Sequence, residues 1–100
     1  MNSIEINIEN IGNIINIKID IIKKKIIINN IEKDITEDKI DGLLRIIRTW
    51  DNNYQNNNLI DGESFEIRIN TTNETEIIKG NGSYPDDYQL LKEWIGEFDV

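Results

Sequence analysis

The sequence contains no cysteine, no histidine and no alanine. The first two absences exclude disulfides, thiol nucleophiles, Ser-His-Asp triads and the usual zinc sites, and they remove the commonest general base of enzymes. Long apolar runs are missing too, since no stretch reaches the roughly 18 apolar residues that a membrane span needs. What is abundant is isoleucine, about a quarter of the chain, and asparagine, about a seventh.

Length and charge narrow the class of protein further. The 100 residues suit a single domain over 1–100. Eleven basic and 19 acidic residues give a formal net charge of −8, which disfavours direct binding to nucleic acid or to an anionic membrane and favours a basic protein partner. Residues 1–10 lack the basic start and apolar centre of a signal peptide, so we expect a cytoplasmic protein.

Two stretches near the start alternate apolar and polar residues, as half-buried strands do. They cover residues 4–8 and 15–21, and Gly12 between them suits a turn with a positive φ. If the two strands pair so that the residue numbers of each facing pair add up to 23, isoleucine faces isoleucine and Glu5 faces Lys18. This register predicts that the following side chains are buried: Ile6, Ile17 and Ile19.

The pattern then changes from strand to helix. A third short strand is expected at 26–28, and apolar residues recur at helical spacing from Asp34 onward. Asp34 and Glu37 have the spacing of a capping box. These signals predict a helix over about 35–51.

A glycine and several aromatic residues mark the predicted helices. Gly42 costs about 1 kcal/mol relative to alanine inside a helix, and we expect it to let the helix approach the sheet closely. Aromatic side chains lead binding hot spots, but Trp50 and Trp94 fall on apolar stripes and are expected in the core.

The second half repeats the order of strands followed by a helix. A polar loop is expected at 52–58, strands at about 64–71 and 75–79, and a turn at 80–83. Pro85 suits the first turn of a closing helix. The resulting order β-β-β-α-β-β-α predicts an α+β fold, a mainly antiparallel sheet with the helices packed on one face.

The motifs in this half do not indicate catalysis. Gly80-Asn81-Gly82 lacks the remaining residues of a phosphate-binding loop. Asp86 and Asp87 suit the positive end of a helix dipole, and an Asp-Gly turn entering a strand accounts for Asp61-Gly62-Glu63. We therefore expect no catalytic, cofactor-binding or metal-binding residues and no enzymatic activity.

Charge is distributed unevenly along the chain. Residues 1–31 carry four lysines against three acids, a net charge of +1, so residues 32–100 carry −9. Carboxylates one helical turn apart lie about 5–6 Å from each other, near the spacing of phosphates along a nucleic acid strand. The helical faces predict the following partner-binding residues: Glu37, Asp38, Asp41, Asp87, Glu93 and Glu97.

The C-terminal half combines Trp50, the Asp61-Gly62 step, the alternating strand 65–69 and Gly80-x-Gly82-x-Tyr84-Pro85 before an aromatic-rich helix. In these features it resembles a group of small, mostly uncharacterised proteins from AT-rich bacteria and their phages. That resemblance implies a fold and no particular activity. In its small size, its acidity and its lack of recognisable catalytic residues the chain also looks like phage-encoded anti-CRISPR proteins, although no motif is shared.

Together these features predict a non-catalytic acidic inhibitor of anti-CRISPR type, which binds a Cas effector and blocks its nucleic-acid-binding surface. An immunity protein or antitoxin that neutralises a toxin needs the same acidity and stays open as an alternative. A third alternative is a structural homo-oligomer, such as a homodimer, that associates through an Ile-rich sheet edge.

Overall fold

A computed structural model describes residues 2–55 and 62–98. The predicted α+β fold is confirmed, with two strands more than expected. In chain order the elements are β1 (Ser3–Asn10), β2 (Asn13–Asp20), β3 (Lys25–Ile28), β4 (Ile31–Asp34), α1 (Glu37–Ile47), β5 (Asn53–Gln55), β6 (Ser64–Asn70), β7 (Thr75–Asn81) and α2 (Tyr88–Gly96).

The strands form one seven-stranded sheet in the order β4-β3-β2-β1-β6-β7-β5. Neighbouring strands are antiparallel except for β5, which lies parallel to β7. The predicted register of β1 and β2 is confirmed, since Glu5 lies opposite Lys18 and Ile6 opposite Ile17. Gly12 has a φ of 79° in the turn between them, as expected. The Ile-rich strands β1 and β2 therefore lie inside the sheet, away from its edges.

One row of isoleucines crosses five adjacent strands. Ile28, Ile17, Ile6, Ile67 and Ile78 are successive register partners, and none is more than 2% exposed. Similar rows lie on either side of it. Because side chains alternate along a strand, this pattern buries a single face of the sheet.

Both helices pack on that buried face. Leu43 and Ile47 of α1 and Leu91 and Trp94 of α2 belong to the same core cluster as the strand isoleucines, so the predicted one-sided arrangement is confirmed. Trp50, after α1, is 8% exposed and also lies in the core, as expected.

Helix α1 is shorter than predicted at both ends. Its N-cap is Thr36, whose hydroxyl accepts a hydrogen bond from the Lys39 N–H at 3.2 Å. Asp34 does not cap the helix, because it ends β4 and forms an ion pair with its register partner Lys25. Asp34, which the capping-box spacing predicted as the helix N-cap, therefore belongs to the sheet.

The two unexpected strands, β4 and β5, are short and polar. Strand β4 follows a tight turn in which Asn29 and Asn30 have φ values of 47° and 73°, as two-residue hairpin turns require. Strand β5 occupies part of the predicted loop 52–58 and places Tyr54 beside Gly80. Residues 56–58 of that loop, together with Asp61, lie outside the described residues.

The segment after β6 differs from its prediction in two places. Gly80 belongs to β7, and a Cβ atom there would lie 2.3 Å from Cε1 of the Phe65 ring, so the ring occupies the space of the missing side chain. Pro85 precedes α2, and its carbonyl accepts the Tyr88 N–H at 3.1 Å. The proline therefore lies in the turn before the helix, outside its first turn.

Replacing Ile17 by aspartate will test the register. Ile17 is 1% exposed, so Ile17→Asp loses its burial and places an unpaired charge in the core, at a cost of several kcal/mol, about 3 or more. Lys18→Ala, one residue along on the exposed face, is expected to cost less than about 0.5 kcal/mol. Urea unfolding measures both, and equal effects would contradict the assigned face.

Candidate functional site

The two helices lie antiparallel and contact each other on the outer side of the core. The indole Nε1 of Trp94 in α2 donates to the backbone carbonyl of Lys39 in α1 at 2.9 Å. The Lys39 ammonium group forms an ion pair with Glu97 and lies 5.8 Å from the centre of the Phe98 ring. These contacts fix the start of α1 beside the end of α2.

An open groove of about 420 Å³ runs between the two helices, and we call it the interhelical groove. Asp38, Glu93 and Glu97 line it with carboxylates. Ile46, Leu90 and Trp94 supply apolar lining, and Leu90 is 47% exposed. Three of the six predicted partner-binding residues are thus brought together on one surface.

The other three predicted residues lie elsewhere. Glu37 is exposed in the first turn of α1. Asp41 lines a second groove, whose lining also contains Arg45 and Arg48.

Asp87 lies immediately before α2 and is not freely exposed, unlike the other five predicted partner-binding residues. Its side chain is half-buried and accepts a hydrogen bond from Trp50 Nε1 at 2.6 Å. A carboxylate that holds a core indole in place contributes to the structure, and replacing it would disturb the packing of Trp50.

Gly42 lies in the lining of the interhelical groove and faces α2. A Cβ atom added there would meet, among the described residues, only Trp94 Nε1, at the ordinary contact distance of 4.0 Å. The expectation that this glycine lets α1 approach the sheet is therefore wrong. Helix packing leaves room for a side chain at this position.

A second constellation, at the end of the sheet near β6, was missed by sequence reasoning. Glu63 accepts hydrogen bonds from the Tyr88 hydroxyl at 2.5 Å, from Lys92 Nζ at 2.9 Å and from Asn10 Nδ2 at 3.1 Å. Its backbone carbonyl accepts the Tyr84 hydroxyl at 2.6 Å. We call these five residues the Glu63 cluster.

Aromatic rings surround this cluster. Tyr84 and Tyr88 stack with ring centroids 4.7 Å apart, and Phe65 lies 5.0 Å from Tyr88 and 6.0 Å from Trp50. The Glu63 side chain is only 15% exposed. No local motif marks this carboxylate among the 19 acids, because its partners come from distant parts of the chain.

Burial raises the pKa of Glu63, but the hydrogen bonds from Tyr88 and Lys92 lower it by more, so the carboxyl titrates below its ordinary value of 4.5. Burial and the neighbouring Glu63 raise the pKa of Tyr88 above its ordinary value of 10. At neutral pH the cluster therefore consists of an ionised carboxylate held by a neutral phenol and an ammonium group. It ties the start of β6 to the end of β1 and to α2.

Comparison with known families, curated proteins and solved structures finds no match. Neither helix in the described part of the chain is long and apolar enough to cross a membrane.

Glu63→Gln is expected to destabilise the fold by about 1–3 kcal/mol at pH 7, because a partly buried, charge-assisted set of hydrogen bonds is weakened. A carboxyl with a depressed pKa stabilises the fold above its unfolded-state pKa, near 4.5, and this contribution is lost as the pH falls through the folded-state value. The difference in unfolding free energy between the wild type and Glu63→Gln should therefore shrink as the pH falls from 6 to 3.

Urea unfolding of the wild type and of Glu63→Gln across this pH range measures this difference. Glu74→Gln is the control, since Glu74 is exposed in the turn between β6 and β7. A difference that stays constant from pH 6 to pH 3 would contradict the assigned role of the charge.

Proposed function

We propose that this chain is a non-catalytic acidic inhibitor of anti-CRISPR type, which binds a basic nucleic-acid-binding surface of a Cas effector. The binding part of the proposal rests on the interhelical groove, where three carboxylates share the lining with apolar side chains, among them the exposed Leu90. The anti-CRISPR form is favoured by the small size and the acidity of the chain.

The groove has the chemistry of a protein-binding surface. An exposed leucine beside a half-buried isoleucine supplies apolar area that a partner can cover. Of the three carboxylates, Glu97 is paired with Lys39, whereas the ion pairs among the described residues use neither Asp38 nor Glu93. These two charges are available to a cationic partner.

Such a surface competes with nucleic acid for the same cations. A basic groove that binds phosphates has anions associated with it. These anions are released into solution when an acidic protein binds there, as they are when nucleic acid binds. Association should be accelerated by the charge, and it should weaken as the salt concentration rises.

The edges of the sheet bear on the homo-oligomer alternative. The edge strand β4 contains one isoleucine followed by Glu32, Lys33 and Asp34. Charged side chains on a short edge strand oppose edge-to-edge pairing. At this edge the composition offers a homo-oligomer no continuous apolar strand, which favours the inhibitor.

The proposal predicts that the protein inhibits DNA cleavage by a purified Cas effector at near-stoichiometric amounts. The double reversal Asp38→Lys and Glu93→Lys should raise the inhibitory concentration about tenfold or more, mainly through slower association. The matched control is Glu9→Lys with Glu74→Lys, which changes the net charge equally at exposed positions outside the groove. Circular dichroism and urea unfolding establish that both variants fold.

Order of addition distinguishes the mechanism. Pre-binding the effector to its nucleic acid should delay inhibition if the protein occupies the same surface. A stable ternary complex would contradict the competitive mechanism. If no effector of a representative panel is inhibited and mass spectrometry identifies a captured toxin, the anti-CRISPR form is wrong and the immunity protein takes its place.

A further inference from the structure

We infer that the interhelical groove binds a short, basic, amphipathic helix of the partner. This inference rests on the proposed function for the existence of a cationic partner, and it names the structural element that the groove accepts. Three observations carry it: the unoccupied space at Gly42, the order of groups along the groove, and the helical nature of both walls.

Gly42 is a residue that the fold itself does not require. It lies inside α1, where glycine costs helix stability. Its φ is not in the left-handed region that favours glycine, and an added Cβ would meet only an ordinary contact among the described residues. The missing side chain leaves a notch beside the edge of the Trp94 indole, and a side chain from a partner would fill this notch.

The groups along the groove follow a fixed order. Asp38 and the Lys39–Glu97 pair lie at one end, Gly42 faces Trp94 in the middle, and Ile46 belongs to the other end. Residues 39 and 46 are separated by seven positions, about 10.5 Å along a helix. A bound helix should therefore place an apolar residue at one end and a lysine or arginine two turns away.

Both walls of the groove are helices, and this favours a helical occupant. The backbone groups of a helix interior already bond to each other, so α1 and α2 offer no ladder to an extended strand. A helix satisfies its own backbone groups and presents only side chains to the groove. About three turns of helix would span the length of α1, which has 11 residues.

The probe is a fluorescein-labelled peptide about 14 residues long, made of leucine, alanine and lysine, with its leucines on one helical face. A shuffled peptide of the same composition, whose leucines fall on all sides, is the control ligand. Fluorescence anisotropy measures the binding of both to the full chain. The patterned peptide should bind about tenfold tighter or more, and equal binding of the two peptides would overturn the helical assignment.

Variants of the groove floor test the fit. Leu90→Gln should weaken binding of the patterned peptide about tenfold, whereas Ile22→Gln should leave it unchanged, because Ile22 is 75% exposed and lies outside the groove lining. Gly42→Ala should weaken binding several-fold while making the fold more stable, by about fivefold in the unfolding equilibrium constant. A destabilised Gly42→Ala variant, or one that binds like the wild type, would overturn the role of the notch.

The same variants separate this inference from the proposed function. If Leu90→Gln and Gly42→Ala inhibit a Cas effector as well as the wild type while the Asp38 and Glu93 reversal does not, the helical occupant is wrong and the acidic inhibitor stands. If the reversal inhibits as well as the wild type, the proposed function is wrong. The peptide measurement needs no effector and decides the occupant independently.

Discussion

Burial of a single face of the sheet is the constraint on which the rest of the structure depends. Each buried isoleucine contributes about 1.5–3 kcal/mol relative to exposure, and the row from Ile28 to Ile78 crosses five strands. Because this face carries the buried isoleucines, both helices cover it side by side. Two antiparallel helices on one face leave a groove between their outer surfaces, so the groove follows from the period-two pattern of isoleucine.

Features that depend on neighbours along the chain could be predicted from the sequence. The alternation over β1 and β2 was sufficient for their register, because a shift by one residue would turn the buried isoleucines of one strand to the exposed face. The helical stripe was likewise sufficient to place Trp50 and Trp94 in the core. Helical spacing also brought three of the six predicted carboxylates to the interhelical groove, while their role in binding stays a prediction.

Features that depend on distant partners could not be predicted. Asp34 had the spacing of a helix cap, but strand pairing places it opposite Lys25. Asp87 suited a helix dipole, yet it binds the indole of Trp50, 37 positions away. Glu63 suited a simple turn, and its strongest contacts come from α2. In each case a local explanation was sufficient, so the sequence contained no signal for the long-range contact.

Trp94 connects the groove to the core. Its ring is 5% exposed, its Nε1 donates to the Lys39 carbonyl, and its edge faces Gly42. The Trp94 part of the groove floor therefore belongs to the packed interior and has a fixed shape, whereas Asp38 and Glu93 are exposed side chains on the rim. Rim charges act over a distance on the rate of encounter, and floor contacts act after docking on the rate of dissociation. The fold thus separates attraction of a basic partner from recognition of its shape.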